Sequence, residues 1–465
     1  MKTHLLQEGD AAPNNGGPAS ADSTPLGPRI LLLTPYTGAN FGDGAIQDAA
    51  IHHFRRRLSN PQIRLVTLCP ERTSRLHGLP SYPIGSVEIR EQKNSEKAPV
   101  APTSSHTPRA WIRRLPWLHP CVSAASRPVR KAADFFRAIA REMRHVLRVR
   151  KILGETDLLV MSGGGQIDDF WGGAFGHPYA LFKWALIARF SRIPVAFPSV
   201  GVCSLEGWTG RLFAYRALRL ASYRSYRDHG SKELLRSASF TRTDPECPDL
   251  AFSHPRGGNR GRPARGPLTG QMVIGLSPII YLSQHGWPEV DLKTYDRYLE
   301  VLREFVERIL TEGHTVVLFV SAVQDQFAVA DLKAKLHRSE LHGSWGDRLQ
   351  HIAPASADQL LDGISKMDLV VASRLHGVIL SHVLQKPVLA VSYDRKVRAH
   401  MASVAQEAHC LELRECTAEE LWKSLLELAA QRQAVSDSVG SKTEEFRQNL
   451  DQQYDILIRL LARPA

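Results

Sequence analysis

Short apolar runs alternate with longer amphipathic stretches along most of the chain. Apolar runs of roughly four to eight residues bounded by Gly, Pro, Asn or Asp are typical of buried strands, whereas apolar residues recurring every three or four positions are typical of helices. On this basis we predict strands at residues 29–36, 63–69, 157–162, 194–200, 222–227, 272–279, 315–320, 368–372 and 387–392.

Helical patterns fill the intervals between these strands. The clearest cover residues 44–58, 178–190, 292–310, 328–336, 377–384, 418–430 and 443–462. Alternating strands and helices build parallel sheets with helices packed on both faces. The pattern therefore predicts an α/β fold.

The length of 465 residues exceeds what one hydrophobic core usually spans, so we expect two domains. Residues 253–269 are mainly Gly, Pro and Arg with almost no large apolar side chain, which is typical of a linker. They divide the chain into a first domain at 29–252 and a second at 270–465. Residues 1–28 lack the apolar core of a signal peptide, and we expect them to form a disordered leader.

The composition, with 43% apolar and 23% charged residues, is typical of a soluble globular protein. No run approaches the ~20 apolar residues that a membrane span needs. The six cysteines are scattered without a CxxC pair. This spacing argues against a disulfide framework and a zinc site, and it favours the reducing cytoplasm.

Most of the net charge of +12 comes from one segment. Residues 109–151 contain ten arginines and two lysines against two acids, within a predicted basic insertion at about 91–150 whose first part, up to about 130, is irregular. From Phe136 onward, apolar residues share one helical face and arginines another. Such a helix either docks on an anionic membrane surface or packs on the core with its arginines in solvent, and we favour the second. No nucleic-acid-binding motif accompanies the charge, so we expect no nucleic acid as a partner.

The segment that follows the predicted strand at 368–372 carries the clearest chemistry. Arg374, Leu375, His376 and Gly377 lie where the strand ends and a helical pattern begins. Free N–H groups at a helix N-terminus attract anions, and an arginine fork binds phosphate or carboxylate. A histidine transfers protons near neutral pH. The segment therefore predicts an anion-binding site with proton-transfer chemistry.

A Gly-rich turn follows the first predicted strand. It contains Asn40 and Asp43, and it matches neither GxGxxG nor a P-loop. Both residues are able to cap the next helix, and Asp43 is especially well placed to do so. A tight turn with a cap and a ligand contact both remain open interpretations.

A second Gly-rich segment follows the strand at 157–162. Gly164 and Gly165 allow a ligand or another backbone to approach, and we expect a substrate loop here. Asp168, Asp169 and Trp171 suit a sugar, through hydrogen bonds to hydroxyls and ring stacking. No third carboxylate lies nearby in the sequence, so we expect no metal.

Two further residues have competing interpretations. His177 precedes a predicted helix and is either a polar helix terminus or part of a site. Arg227 ends the strand at 222–227 and either points into a ligand crevice or forms a surface pair with Asp228.

Three motifs together resemble the polysaccharide pyruvyl transferase family. They are GANFGDGAI, GGGQIDDFWGG and SRLHGVILSHVLQKPVLAVSYDRKV, and the resemblance covers about residues 29–460. It implies two Rossmann-like domains facing across a cleft, as in GT-B glycosyltransferases. It also implies transfer of pyruvyl from phosphoenolpyruvate onto two sugar hydroxyls as a cyclic ketal, without a metal or organic cofactor.

The resemblance also implies roles for individual residues. Arg374 and His376 match the donor-binding Arg-Leu-His, and Lys396 matches the SYD-x-K segment. Arg227 matches a further donor-binding arginine, and His177 matches a histidine on the facing side of the cleft. We expect His376 to act as acid and base with His177 as its partner, while Asp168 or Asp169 orients the acceptor.

The implied partners are phosphoenolpyruvate and a sugar or glycan acceptor, lipid-linked or free. The cysteine spacing favours a cytoplasmic location, and peripheral contact at the inner membrane face through the basic region 109–151 stays open as the alternative to core packing. Two other functions remain open. One is a GT-B glycosyltransferase that uses a nucleotide-sugar, and the other is a non-catalytic protein that binds glycan or assembles a polysaccharide machine.

Overall fold

Two parallel β-sheets organise the chain in the computed structural model. The structure describes residues 27–86, 119–169, 173–203, 205, 207–237, 240, 244–257, 270–287, 289–341, 343 and 345–462, with backbone alone for 119–133. The first sheet contains β1 (Arg29–Leu33), β2 (Gln62–Thr67), β3 (Ser81–Pro83), β4 (Leu158–Met161), β5 (Gly164–Ile167), β6 (Val195–Val202) and β7 (Tyr223–Tyr226). The second contains β8 (Val273–Ser277), β9 (Thr315–Leu318), β10 (Leu349–His351), β11 (Leu369–Ala372), β12 (Val388–Ser392) and β13 (Cys410–Glu412).

Helices connect the strands of each sheet. In the first half they are α1 (Phe41–Arg57), α2 (Pro70–His77), α3 (His119–Gly154), α4 (His177–Phe190), α5 (Trp208–Leu220) and α6 (His229–Ser237). In the second half they are α7 (Leu292–Thr311), α8 (Gln326–His337), α9 (Ala357–Ser365), α10 (Leu375–Val383), α11 (Arg395–Ser403), α12 (Ala418–Ala430) and α13 (Arg432–Leu461). Within the described part of the chain, no helix has the length and apolar character needed to cross a membrane.

The strand order places a crevice in each sheet. The first sheet has the order β3-β2-β1-β4-β6-β5 with β7 also paired to β6, and the second has the order β10-β9-β8-β11-β12-β13, with parallel pairing throughout. The direction of winding reverses between β1 and β4 and again between β8 and β11. Ligands of open α/β sheets bind beyond the carboxyl ends of the strands at such points.

The predicted α/β fold of two Rossmann-like halves is confirmed, and each of the nine predicted strands is present. Four short strands were not predicted, namely β3, β5, β10 and β13. One of them corrects an expectation, because Gly164–Ile167 was expected to be a loop and instead pairs with β6 across an irregular register.

The basic segment is also more regular than expected. Residues 119–130 were predicted to be irregular, but they lie in α3, which continues to Gly154 and leads into β4. Val149, Ile152 and Leu153 are buried in the core of the first half, so the end of the predicted insertion is a crossover helix of the fold. Residues 87–118 lie outside the described residues.

Two segments tie the halves together. The predicted linker begins in a buried 3-10 helix, Leu250–Ser253, and the described part of it ends at residue 257, while 258–269 lie outside the described residues. Helix α13 packs on the second half at Val435 and Val439 and then reaches the first half at Tyr454. The expected leader, 1–28, has only its last two residues within the described part of the chain.

Candidate active site

The loops after β1 and β9 join the two halves by backbone hydrogen bonds. The N–H of Phe41 donates to the carbonyl of Ser321 at 2.9 Å, and the N–H of Val323 donates to the carbonyl of Ala39 at 2.8 Å. Asn40 caps α1, because its Oδ1 accepts a hydrogen bond from the N–H of Gly42 at 3.0 Å. The expectation that Asp43 is the favoured cap is therefore wrong, since Asp43 lies inside the first turn and its carboxylate is left for other contacts.

The first Gly-rich turn touches the His376 ring. A Cβ atom placed on Gly42 would overlap the imidazole of His376, so only glycine fits at this position. His376 is 8% exposed, and its Nε2 has no hydrogen-bond partner in the structure. The two motifs that are farthest apart in the sequence thus meet directly across the cleft.

Helix α10 begins two residues earlier than predicted, at Leu375 with Arg374 as its N-cap residue, and no side chain caps it in the structure. The Leu375 side chain belongs to the hydrophobic core, so only its backbone faces a ligand. A Cβ atom on Gly377 would lie 3.3 Å from Cβ of Ala372 and close to the buried hydroxyls of Ser277 and Ser321. Gly377 therefore allows α10 to pack closely on β11, with the free N–H groups of the first turn at the crevice.

Arg374 is fixed by a buried carboxylate. Its Nε and Nη2 donate to Asp325 at 2.5 and 2.7 Å, and Asp325 is fully buried. Asp325 also accepts a hydrogen bond from the N–H of Ile280 at 3.2 Å. Among the described residues, Nη1 of Arg374 has no partner, so this nitrogen is the donor available to an anion.

Asp249 joins Arg227 to His376. Its Oδ2 lies 3.4 Å from Nη1 of Arg227 and 3.9 Å from Nε2 of His376, which is an ion-pair distance rather than a hydrogen bond. Burial raises the pKa of Asp249, but the attraction of His376 and Arg227 outweighs burial and holds the pKa at about 2. Asp249 is therefore ionised at neutral pH and places a negative charge beside the imidazole.

Asp43, in the first turn of α1, is a further carboxyl group near this cluster. A Cβ atom on Gly164 would lie 3.5 Å from Oδ1 of Asp43, so the second Gly-rich segment packs against it. Burial raises the pKa of Asp43, and the nearby charges of His376, Arg227 and Arg374 offset only part of that increase. A carboxyl group with a raised pKa beside a histidine is suited to proton transfer.

Lys396 approaches the same cleft from α11. Its Nζ lies 3.2 Å from Oδ2 of Asp394 and 5.7 Å from the centre of the Tyr393 ring. Burial lowers the pKa of Lys396, but Tyr393, Asp394 and Cys203 together raise it by more than burial lowers it. The pKa of Lys396 therefore lies above its ordinary value. The charges of Lys396, Asp168 and Arg227 all act on the pKa of the Cys203 thiol, just after the end of β6. Lys396 therefore lies opposite the end of β6 in the first half.

The second Gly-rich segment divides into residues with different roles. Gly164 has φ of 69°, a left-handed conformation that favours glycine, whereas a Cβ atom on Gly165 would meet no atom within 4 Å. Asp169 lies at the start of α5, where its Oδ2 is 3.5 Å from the N–H of Gly207. Asp168 lies near Cys203. Trp171 lies outside the described residues.

His177 is placed differently from the other predicted residues. It begins α4, and its Nε2 lies 3.0 Å from Oε1 of Gln166 within the first half. Burial alone lowers its pKa to about 4, with no charged group of the cleft contributing. The structure therefore brings Arg227, Arg374, His376 and Asp43 together, while His177 forms a separate buried pair with Gln166.

Asp249 and Asp325 are the site residues that sequence reasoning missed. Neither lies in a recognisable motif, and each finds its partner through contacts between distant parts of the chain. The only local signal is at Asp325, which follows the end of β9 and so lies at the ligand-binding edge of the second sheet. A separate cavity of about 860 Å³, lined by Tyr82, Arg148 and Glu155 among others, lies at the outer edge of the first sheet and contains none of these residues.

Fold and site together define an α/β protein of two Rossmann-like halves with a cleft that carries arginines, a lysine and a histidine. Residues 40–395 match the family model for polysaccharide pyruvyl transferase. The chain belongs to the polysaccharide pyruvyl transferase family. A comparison with curated protein sequences finds no match.

Solved structures with a similar fold are distant in sequence. The UDP-GlcNAc 2-epimerase from Methanocaldococcus jannaschii is 11% identical, with 86% of this chain and 92% of that chain covered and a TM-score of 0.49. The UDP-GlcNAc 2-epimerase from Neisseria meningitidis is 11% identical, with coverage of 91% and 99% and a TM-score of 0.48. A glycosyltransferase from Rickettsia africae is 10% identical, with coverage of 93% and 98% and a TM-score of 0.49. These similarities concern the fold alone.

Proposed function

We propose that the protein transfers the pyruvyl group of phosphoenolpyruvate to two hydroxyls of a sugar or glycan acceptor, forming a cyclic ketal and releasing phosphate. Membership of the family supports the class of reaction. The observation that carries the proposal is that Arg227 and His376 both lie near one carboxylate oxygen, Oδ2 of Asp249. The His376 ring also contacts Gly42 of the facing turn.

The donor carries a carboxylate and a phosphate, and both halves offer groups that bind anions. Arg374 offers its unpaired Nη1, and the first turn of α10 offers backbone N–H groups. Arg227 and Lys396 add positive charge from opposite sides of the cleft. Each cation is held by a carboxylate, which fixes its position before the donor arrives and offsets part of its charge.

Ketal formation begins when an acid adds a proton to the methylene carbon of the donor, which makes the adjacent carbon electrophilic. One sugar hydroxyl adds to that carbon, and the second hydroxyl adds after the bond to phosphate breaks. The methylene carbon gains one proton while the two hydroxyls lose one each. The remaining proton leaves with phosphate, so no oxidant, reductant or metal is needed for the balance.

His376 and Asp43 are the proposed proton carriers. Asp249 is ionised and its Oδ2 lies 3.9 Å from Nε2 of His376, so a negative charge stands beside the imidazole that we propose as the acid. Asp43, whose pKa is raised by burial, lies on the facing side and takes the place that the sequence had suggested for His177. Asp168 remains the proposed contact for the acceptor, and Oδ2 of Asp169 lies 3.5 Å from the backbone nitrogen of Gly207 at the start of α5.

The test is phosphate release from phosphoenolpyruvate in the presence of candidate pyranoside acceptors. We expect His376→Ala and Arg374→Lys to lower acceptor-dependent release at least about a hundredfold, which is typical for loss of an acid–base or anion-binding group. Lysine keeps a charge against the buried Asp325, so this variant avoids the unpaired carboxylate that alanine would leave. The exposed His351→Ala and Arg338→Ala are matched controls that should retain wild-type rates.

The donor itself is tested by thermal shift. Phosphoenolpyruvate should raise Tm of the wild type more than that of Arg374→Lys. Stabilisation by a nucleotide-sugar without stabilisation by phosphoenolpyruvate would replace this proposal with a glycosyltransferase. Glycan binding with no phosphate release from any acceptor would replace it with a non-catalytic glycan-binding protein.

A further inference from the structure

Helix α3 has an apolar stripe that faces solvent instead of the core. Phe136, Met143 and Leu147 are 66%, 56% and 62% exposed, and Ile139 lies on the same stripe. Each residue of an α-helix turns by about 100°, so Met143 and His145, or Leu147 and Val149, point in nearly opposite directions. The expected packing of this stripe on the core is therefore wrong, because His145 and Val149 face the core and the stripe faces away from it.

Arginines flank the stripe along its whole length. Arg137, Arg141, Arg144 and Arg148 recur at intervals of three and four residues, and all four are exposed. The acids of this stretch are already engaged. Asp134 pairs with Arg137 at 2.9 Å, and Glu142 pairs with the buried Lys183 of α4 at 2.6 Å. The face therefore combines apolar side chains with excess positive charge.

The apolar stripe of α3 extends beyond the carboxyl edge of the first sheet, which is the edge that borders the cleft. The Nε2 of His145 is 3.2 Å from the carbonyl oxygen of Pro83, at the carboxyl end of β3. A crossover helix runs antiparallel to the strands it connects, so residues that precede His145 continue beyond the carboxyl edge. Arg227 and Gly164 lie at the same edge.

Two exposed aromatic residues on other elements lie at this edge as well. Phe175 is 73% exposed and precedes α4, and Trp208 is 74% exposed and begins α5. Tyr179, whose ring packs near Phe175, donates a hydrogen bond from its hydroxyl to Glu142 of α3 at 3.1 Å, so Phe175 lies beside this helix. Three elements thus expose apolar rings around one edge of the first half.

We propose that α3, together with Phe175 and Trp208, docks the protein on the surface of an anionic lipid bilayer. An amphipathic helix with aromatic residues on one face and arginines beside it lies in the interfacial region of a membrane, and each basic residue strengthens binding to anionic lipids. A second copy of the chain fits this face less well, because two arginine-flanked stripes would repel each other. The carboxyl edge of the first half then faces the bilayer, and, if the proposed function holds, so does the entrance for an acceptor carried in that bilayer.

The experiment is flotation of the full-length protein with two kinds of vesicle. One kind contains phosphatidylcholine alone, and the other contains phosphatidylcholine with phosphatidylglycerol as about one lipid in three, which makes it anionic. We expect binding to the anionic vesicles only, weakened by high salt. Phe136→Ser with Met143→Ser, and separately Arg141→Glu with Arg144→Glu, should each weaken binding at least about tenfold. These side chains are exposed, so the folded state and phosphate release with a water-soluble acceptor should be unchanged.

Matched controls carry the same chemical changes elsewhere on the surface. Phe190 is 82% exposed at the opposite end of α4, and Leu426 is 42% exposed in the second half, so Phe190→Ser with Leu426→Ser should bind like the wild type. Arg338→Glu with Lys423→Glu is the control for charge. Equal binding of wild type and stripe variants would overturn the proposal. So would a dimer in sedimentation equilibrium that only the stripe variants lose. The vesicle result does not depend on activity, so its failure is separate from failure of the proposed transfer reaction.

Discussion

Position 42 requires glycine for a steric reason, because the His376 ring fills the space that a Cβ atom of Gly42 would occupy. Gly42→Ala should therefore displace His376 or push apart the loops that join the halves. We expect phosphate release to fall at least about tenfold and Tm to fall with it, since overpacking of a buried contact costs about 1–3 kcal/mol. The measurement is the rate of acceptor-dependent phosphate release from phosphoenolpyruvate together with Tm.

The matched control is Gly154→Ala, at an exposed glycine at the end of α3 where a Cβ would meet no atom within 4 Å. This variant should keep the wild-type rate. If Gly42→Ala were as active as Gly154→Ala, contact between the turn and His376 would not position the histidine.

Single residues also show where sequence reasoning stops. Arg374 and His376 were predictable because they stand where an apolar strand meets a helix, which is a local pattern. Asp249 and Asp325 were not, because each acts through a partner that only the folded chain brings near. His177 had the residue type and local position expected of a site, yet its nearest polar partner is Gln166. Residue type therefore predicts chemistry well, whereas pairing depends on tertiary contacts.

The elements that were predicted correctly are those with a long apolar signal. Strands such as β4 and β11 are fully buried and surrounded by helices, so their sequences are almost entirely apolar. The missed strands are short or irregular. Strand β3 ends in proline, β10 is mostly exposed, and β5 contains the glycines that had suggested a loop. Helix α3 was misjudged for a different reason, because the periodicity located its two faces but not which of them meets the core.

Helix α13 inserts one polar side chain into the first half. Gln453 Nε2 donates to Oγ of Ser199 at 2.9 Å, and its Oε1 accepts hydrogen bonds from the hydroxyls of Ser225 and Tyr223. Ser199 itself has φ of 51°, an uncommon conformation for a residue with a side chain. The end of the chain therefore satisfies hydroxyls at a strained point of β6.

Gln453→Leu removes the partner of these buried hydroxyls. We expect the free energy of unfolding to fall by about 3 kcal/mol, because each buried polar group left unsatisfied costs about 1–3 kcal/mol. Urea denaturation measures the change. The exposed neighbour serves as control, and Gln452→Leu should alter stability by less than about 0.5 kcal/mol. Equal effects of the two substitutions would mean that the network does not stabilise this interface.

Contacts in several parts of the described chain hold the two halves together. Backbone hydrogen bonds join the loops after β1 and β9, and α13 contacts both halves, with His53 stacked on Tyr454 at 4.3 Å and Arg57 paired with Asp451 at 2.6 Å. Because α13 also packs on the core of the second half, unfolding of either half disturbs the other. This coupling is stronger than the linker at 253–269 had suggested.

Thermal unfolding should therefore show one cooperative transition in differential scanning calorimetry. The double variant Gln453→Leu with Tyr454→Ala removes both the buried polar contacts and the aromatic stack. We expect it to separate the trace into two transitions, the lower one belonging to the first half. Two transitions in the wild type would contradict the coupling described here.

The position of Gln453 also affects how the protein is made. Its partner Ser225 precedes it by 228 residues. At roughly 5–20 residues per second, ribosomes need about 10 to 45 s to synthesise that interval. During this time the strands β6 and β7 already exist but the group that completes their hydrogen bonding does not. The first half to emerge is thus the last to have its hydrogen bonding completed, because the hydroxyls of Ser199, Ser225 and Tyr223 wait for α13.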